Sequence, residues 1–195
     1  MKNIKLICIR HGQSLANADK SIYETIPDFK IPLTPYGEQQ ATELGKVLAK
    51  EHDIKTILHS PWTRAAQTAK LIHDQNPSSR FIEDPLIHEI SIMHSFEEMI
   101  GKEYLPKRGK DFSEHYFKEG TSESLMDAYI RARIFIQDLV LNRYEFEDGD
   151  TVAIVAHGTF LVTLKAVLKH YSLSQFKHKD HIYNCEYFIE TLKVY

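Results

Sequence analysis

The stretch LICIRHGQS, residues 6–14, decides how the rest of the chain is read. Residues 4–9 are continuously apolar and rich in β-branched side chains, the signature of a short strand covered on both faces rather than one. The run then stops abruptly on Arg10, His11 and Gly12. A buried strand that ends on a cation, an imidazole and a residue without a side chain needs a reason. In open α/β sheets, ligands bind just beyond the carboxyl ends of the strands.

The same punctuation recurs. TVAIVAHG, residues 151–158, is a second apolar strand that ends on His157 and Gly158. KTILHS, residues 55–60, is another, with Arg64 one turn into the helix that follows it to about Asn76. Ser60 and Pro61 read as the cap and first residue of that helix, as Thr34 and Pro35 do for the helix over residues 35–51. RFIED, residues 80–84, is a short strand, and EYFIETLKVY closes the chain as another. From Ser122 a helical stripe runs through Leu125, Tyr129, Ala132, Ile136 and Leu139 or Val140. A further helix follows Gly158 to about His170. Residues 90–120 carry Gly101, Pro106 and Gly109 with no clean period and read as a lid insertion.

Strands alternating with helices predict an α/β fold, a three-layer sandwich whose mostly parallel central sheet is flanked by helices. The 195 residues form a single domain over 1–195, with 43% hydrophobic and 26% charged residues, a composition that excludes disordered and collagen-like classes. A net charge of −3 argues against a general nucleic-acid binder. No apolar run approaches the ~20 residues that span a bilayer. Cys8 and Cys185 make no disulfide framework, which fits a reducing, cytoplasmic compartment.

The strand ends converge on chemistry. Two arginines and two histidines project from one edge of the sheet. Arginine binds phosphate through a planar fork and keeps its charge. A histidine among such cations is held neutral, leaving a ring nitrogen available as a nucleophile. Gly12 and Gly158 let the backbone turn and approach a ligand closely. The edge reads as an anion pocket.

RHGQSLAN, LTPYGEQQA, SPWTRAAQTA and VAIVAHGT, in that order, resemble the histidine phosphatase (phosphoglycerate mutase-like) superfamily, over most of the chain from Arg10 to about Asn184. The resemblance implies that fold, and a metal-independent phosphatase that hydrolyses small phosphomonoesters through a phosphohistidine on His11, with no cofactor. By the same match, Arg10 and Arg64 bind the phosphate and His157 helps to hold the phosphoryl group. Asn17 and the N–H of Gly158 are further ligands, and Glu89, in DPLIHEIS, is the general acid and base. Glu97 and Glu98 are rivals for that last role.

Where relatives continue after the acid with a glycine-aromatic-glycine pattern, this chain reads SIMHSFEEM. The long insertion usual in cofactor-dependent phosphoglycerate mutases is missing, which favours a phosphatase. A mutase, and a phosphate-binding scaffold without turnover, are the alternatives. Ser14 and Thr159 serve as helix caps as readily as ligands. Lys102, Lys107, Arg108 and Lys110 in the lid read as a solvated face, or as partners for a second anionic group. His88 and His94, six residues apart, do not share a helix face, so a metal site is not expected. His178 and His181 read as solvated.

Overall fold

The computed structural model describes residues 1–90, 122–171 and 181–195. Five strands form one sheet among these residues: β1 (Lys2–Arg10), β2 (Ile54–His59), β3 (Arg80–Glu83), β4 (Thr151–Ala156) and β5 (Tyr187–Val194). Their order is β3-β2-β4-β1-β5. The first four in that row run parallel and β5 closes one edge antiparallel to β1. The expected mostly parallel sheet is what forms.

The apolar runs of β1 and β4 are continuous because both faces of the sheet are covered. Alternate residues point opposite ways along a strand. Leu6 and Cys8 of β1 therefore join Val152, Ile154, Phe135 and Phe160 in one core cluster. Ile7 and Ile9 join Ala153, Val155, Leu48 and Ile72 in another. Helices α2 (Pro35–Glu51) and α3 (Thr63–His73) supply the second cover, and α4 (Leu125–Val140) and α5 (Gly158–Leu168) the first. Burying each large aliphatic or aromatic side chain contributes about 1.5–3 kcal/mol. The three-layer arrangement follows from that two-sided demand.

Local signals place most helix starts. Thr34 Oγ1 accepts from the Gly37 amide at 3.0 Å, with Pro35 in the first turn. The one-turn helix α1 (Leu15–Ala18) opens on a capping box between Ser14 and Asn17, and α4 on one between Ser124 and Asp127. Helix α3 departs from expectation. It opens at Thr63 behind Trp62, with no side-chain cap, instead of at Ser60. The Ser60 hydroxyl is taken by the Trp62 amide and by His157, so it serves the strand end and not the helix.

The stripe on α4 forms but is wider than its spacing suggests. Leu125, Ala132 and Leu139 are buried as expected, but Ala128, Phe135 and an arginine, Arg131, complete the inner face. Tyr129 and Ile136 are half-buried. The predicted lid falls, from residue 91 onward, outside the described residues, with its basic cluster, Glu97, Glu98 and His94. No helix among the described residues is long and apolar enough to cross a membrane.

One contact seats the first loop on α2. A Cβ added to Gly12 would lie 2.5 Å from the Gly37 carbonyl oxygen, and one on Gly37 would lie 2.0 Å from the Gln13 carbonyl oxygen. Both obstacles are backbone, so neither can swing aside. The Thr34 amide meanwhile donates to the Gln13 carbonyl at 2.9 Å. Gly37→Ala is predicted to destabilise the protein by about 1–3 kcal/mol, the usual cost of overpacking. A urea unfolding midpoint unchanged from wild type would contradict this.

Candidate active site

The register between β1 and β4 pairs Arg10 with Ala156, so the residues after the two strands emerge side by side. The His11 amide donates to the Ala156 carbonyl at 3.0 Å, and the Ser60 amide to the Val155 carbonyl at 3.0 Å. These bonds extend the ladder one residue past each strand. Thereby His11, His157 and Ser60 are set by the sheet and not by flexible loops.

His11 is buried, 3% exposed. Its Nδ1 lies 2.7 Å from the Gly12 carbonyl oxygen, which can only accept. Nδ1 therefore carries the proton and Nε2 carries the lone pair. That lone pair accepts from Arg64 Nε at 3.2 Å. Burial, then the Arg64 charge, then the Arg10 charge hold the imidazole well below its usual range, with the Gly12 bond opposing them. The neutral nucleophile expected from neighbouring cations is neutral first because it is buried.

His157 stands beside it, ring centroids 5.2 Å apart, and is fully buried. Its Nε2 is 2.8 Å from Ser60 Oγ. Its Nδ1 is buried with no hydrogen-bond partner among the described residues, and so is Arg10 Nε. Burial, then Arg64 and His11, also hold His157 well below its ordinary value.

Arg10 donates from Nη1 to the Ile182 carbonyl at 2.6 Å and lies 3.3 Å from His181 Nε2. His181 is exposed, as its solvated setting predicts, and its ring also meets Arg10. Gly158 opens α5 directly against Arg10: a Cβ there would sit 3.4 Å from Arg10 Nε. Burial pulls the guanidinium down from its usual range, and the nearby Glu89 charge opposes that pull.

Glu89 is brought to this edge. Its carboxylate accepts from the amides of Thr159 at 3.1 Å, Phe160 at 3.0 Å and Ile90 at 3.0 Å, so it caps the N-terminus of α5. Thr159 thus contributes an amide rather than a hydroxyl cap. The loop before Glu89 is held from α4, where Arg131 donates to the carbonyls of Leu86 at 2.6 Å and His88 at 2.8 Å. Glu123 grips the other edge of the same guanidinium at 3.1 and 2.8 Å.

Asn17 lies on the exposed side of the first loop. Its side-chain oxygen accepts from the Ser14 amide at 3.0 Å, the Ser14 hydroxyl at 3.1 Å and Asn184 Nδ2 at 3.1 Å. Asn184 also reaches the carbonyls of His11 and Gly12 at 3.0 and 3.2 Å, tying the chain near its end to the first loop.

Sequence reasoning missed four contributors. Asp28 holds Arg64 through its carbonyl at 2.7 Å and its carboxylate at 2.8 Å. Trp62, the chain's single tryptophan, stacks on His88 and meets His157 edge-on, with the Arg64 guanidinium carbon 5.0 Å from its ring centre. Asn184 and the buried Arg131 are the others. Asp28, Asn184 and the Arg131 bonds to the Glu89 loop act across 36 or more residues of sequence, and Trp62 reaches His157 from the far strand end; the buried Arg131 alone is hinted at by its place among apolar neighbours on α4.

The arrangement is a cationic edge in which two buried polar atoms, Arg10 Nε and His157 Nδ1, have no hydrogen-bond partner among the described residues. A buried donor left unpaired costs about 1–3 kcal/mol, which a bound oxyanion would offset. Because both histidines are buried neutral, the folded chain resists protons that the unfolded chain accepts. Stability toward urea is therefore predicted to fall as pH drops below about 6.5, the ordinary histidine value. His157→Gln should make that fall shallower; an unchanged slope in the variant would refute the assignment.

The family model for the histidine phosphatase superfamily (branch 1) matches residues 6–192. The phosphoglycerate mutase-like protein AT74H of Arabidopsis thaliana is 27% identical over 96% of this chain and 74% of its own. The 2-carboxy-D-arabinitol-1-phosphatase of Triticum aestivum is 30% identical over 78% of this chain but only 30% of its own. Among solved structures, a phosphoserine phosphatase from Entamoeba histolytica in complex with phosphoserine superposes with a TM-score of 0.69. It is 27% identical, over 96% of this chain and 89% of that one.

Proposed function

The chain belongs to the histidine phosphatase superfamily, branch 1, and from that premise we propose that it is a metal-independent phosphatase hydrolysing small phosphomonoesters, with His11 as the nucleophile. The single observation that carries the reading is His11 itself. It is buried and neutral, its Nδ1 proton is fixed on the Gly12 carbonyl, and its Nε2 lone pair is turned to Arg64.

In the proposed reaction the substrate phosphoryl group enters between His11 Nε2 and the two arginines. Arg10 Nε and His157 Nδ1, both buried with no partner among the described residues, receive its oxygens, and Arg64 turns its donors from His11 to the phosphate. The first turn of α5 at Gly158 and the amide of Asn17 complete the cradle. His11 Nε2 then bonds to phosphorus as the ester P–O bond breaks, and Glu89 gives a proton to the leaving oxygen. In the second half Glu89 takes a proton from water, whose oxygen bonds to phosphorus as the P–N bond breaks. Phosphate leaves and His11 is regenerated. The arginines and His157 serve the charge on the transferring group, since positioning and electrostatics dominate phosphoryl transfer.

The expected result is hydrolysis of p-nitrophenyl phosphate in EDTA by wild type and none by a folded His11→Ala variant. Turnover by the variant, or dependence on added metal, would defeat the reading. Conversion of 3-phosphoglycerate to its 2-isomer with little free phosphate would point to a mutase instead. Binding of phosphate with no turnover on a substrate panel would point to a scaffold.

Two further outcomes follow from the same roles. Arg64→Ala should lower kcat on the order of 10²–10³, the range for one preorganised charge donor. A loss under tenfold would place Arg64 outside the phosphate's reach. With His11 held below its ordinary value, kcat/KM should not titrate near pH 6.5 on account of the nucleophile. An imidazole titration near pH 6.5 in the NMR spectrum of the wild type that is missing from the folded His11→Ala variant would contradict a neutral, buried His11.

A further inference from the structure

We infer that Asp28 is a positioning residue for this reaction: it anchors one end of the Arg64 guanidinium so that the opposite edge faces His11. The inference rests on the phosphatase reading above, but its geometry stands without it.

Arg64 is 5% exposed, so its orientation is not left to solvent. Nη1 is bound twice by one residue, at 2.7 Å by the Asp28 carbonyl and at 2.8 Å by Asp28 Oδ1. Nε points the other way, to His11 Nε2 at 3.2 Å. In the planar guanidinium, Nε and Nη2 share the edge that forms a bidentate fork for an oxyanion. Anchoring Nη1 therefore turns that fork toward the proposed nucleophile. Arg64 would otherwise have rotamers in which the same charge is present but the fork is aimed elsewhere.

Asp28 is well placed for the task because its own backbone is held independently. It opens a 3₁₀ turn, Asp28–Lys30, in the connector between α1 and α2. The Thr63 hydroxyl donates to the neighbouring Phe29 carbonyl at 3.2 Å, and the Leu33 amide to Gln67 Oε1 at 2.8 Å. Both partners lie on α3, the helix that carries Arg64. The connector is thus strapped to α3 without the carboxylate, whose one described partner is Arg64. Burial pushes the Asp28 carboxyl above its usual range, and the charge and hydrogen bond of Arg64 oppose that rise.

The test is a double-mutant cycle on the full chain: wild type, Asp28→Ala, Arg64→Ala and the double variant, with Asp28→Asn beside them. kcat and KM are measured for p-nitrophenyl phosphate, and a dissociation constant for inorganic phosphate by calorimetry. Asp28→Ala is expected to lower kcat on the order of 10–100-fold, the scale of a misplaced catalytic group, with a smaller change in KM. Asp28→Asn, which keeps an acceptor at Oδ1, should lose less. With Arg64 already removed, Asp28→Ala should add under about twofold, because a residue that acts only through its partner is non-additive with it.

The same fold-loss in both backgrounds would overturn the inference, since a merely structural role persists without Arg64. So would an Asp28→Ala enzyme within twofold of wild type. If no form hydrolyses the ester, the phosphatase reading fails, and the phosphate dissociation constants decide the inference separately. A change caused by Asp28→Ala only when Arg64 is present supports it; an equal change in both backgrounds, or none, removes it. Should Asp28→Ala not fold, the Asn variant carries the same cycle.

Discussion

The register between β1 and β4 is the constraint on which the other features depend. Pairing Arg10 with Ala156 places His11 next to His157 and sets Gly158 against Arg10. A slip of one residue would reverse every side chain on the strand, sending Ile7 and Ile9 to the wrong cover and moving the histidines apart. Because both faces of the sheet are packed, such a slip costs the burial of several large side chains. The hydrophobic core thus enforces the geometry of a polar site that contributes little to it.

That site concentrates charge where water is scarce. Arg64 and both histidines are nearly inaccessible, and the histidines respond by staying neutral. The arginines cannot shed their charge, so carboxylates are brought to them. Asp28 pairs with Arg64 directly, and Glu89 lies within electrostatic reach of Arg10 while capping α5. Isolated buried cations would be costly, and paired ones are tolerable. Arg10 Nε and His157 Nδ1 have no hydrogen-bond partner among the described residues, and the proposed phosphoryl group would meet them there.

The supports of Glu89 show how far this provision extends. Arg131 is buried among apolar neighbours on α4 and spends its donors on the loop that carries Glu89 and on Glu123. On the inner face it stands with Ala128 and Phe135, while Tyr129 and Ile136 pack half-buried against the core beside it. Ser60 shows the same priority, given to Trp62 and His157 rather than to the start of α3. In both cases a demand from the site overrode a local preference.

The sequence by itself determined the layers, the parallel strands and the edge at which Arg10, His11, Arg64 and His157 would gather. Continuous apolar runs, proline after a capping residue and abrupt strand endings are local signals, and local physics is legible in a string of residues. Only the tertiary structure decided which atom of each side chain faces which neighbour. The His11 tautomer depends on the Gly12 carbonyl, the Arg64 orientation on Asp28, the Glu89 carboxylate on the α5 amides, and the first loop on Asn184. Apart from the adjacent Gly12, these partners are separated by tens to more than a hundred residues. Such bonds have no period and no propensity; they exist because the sheet first brought distant strand ends together.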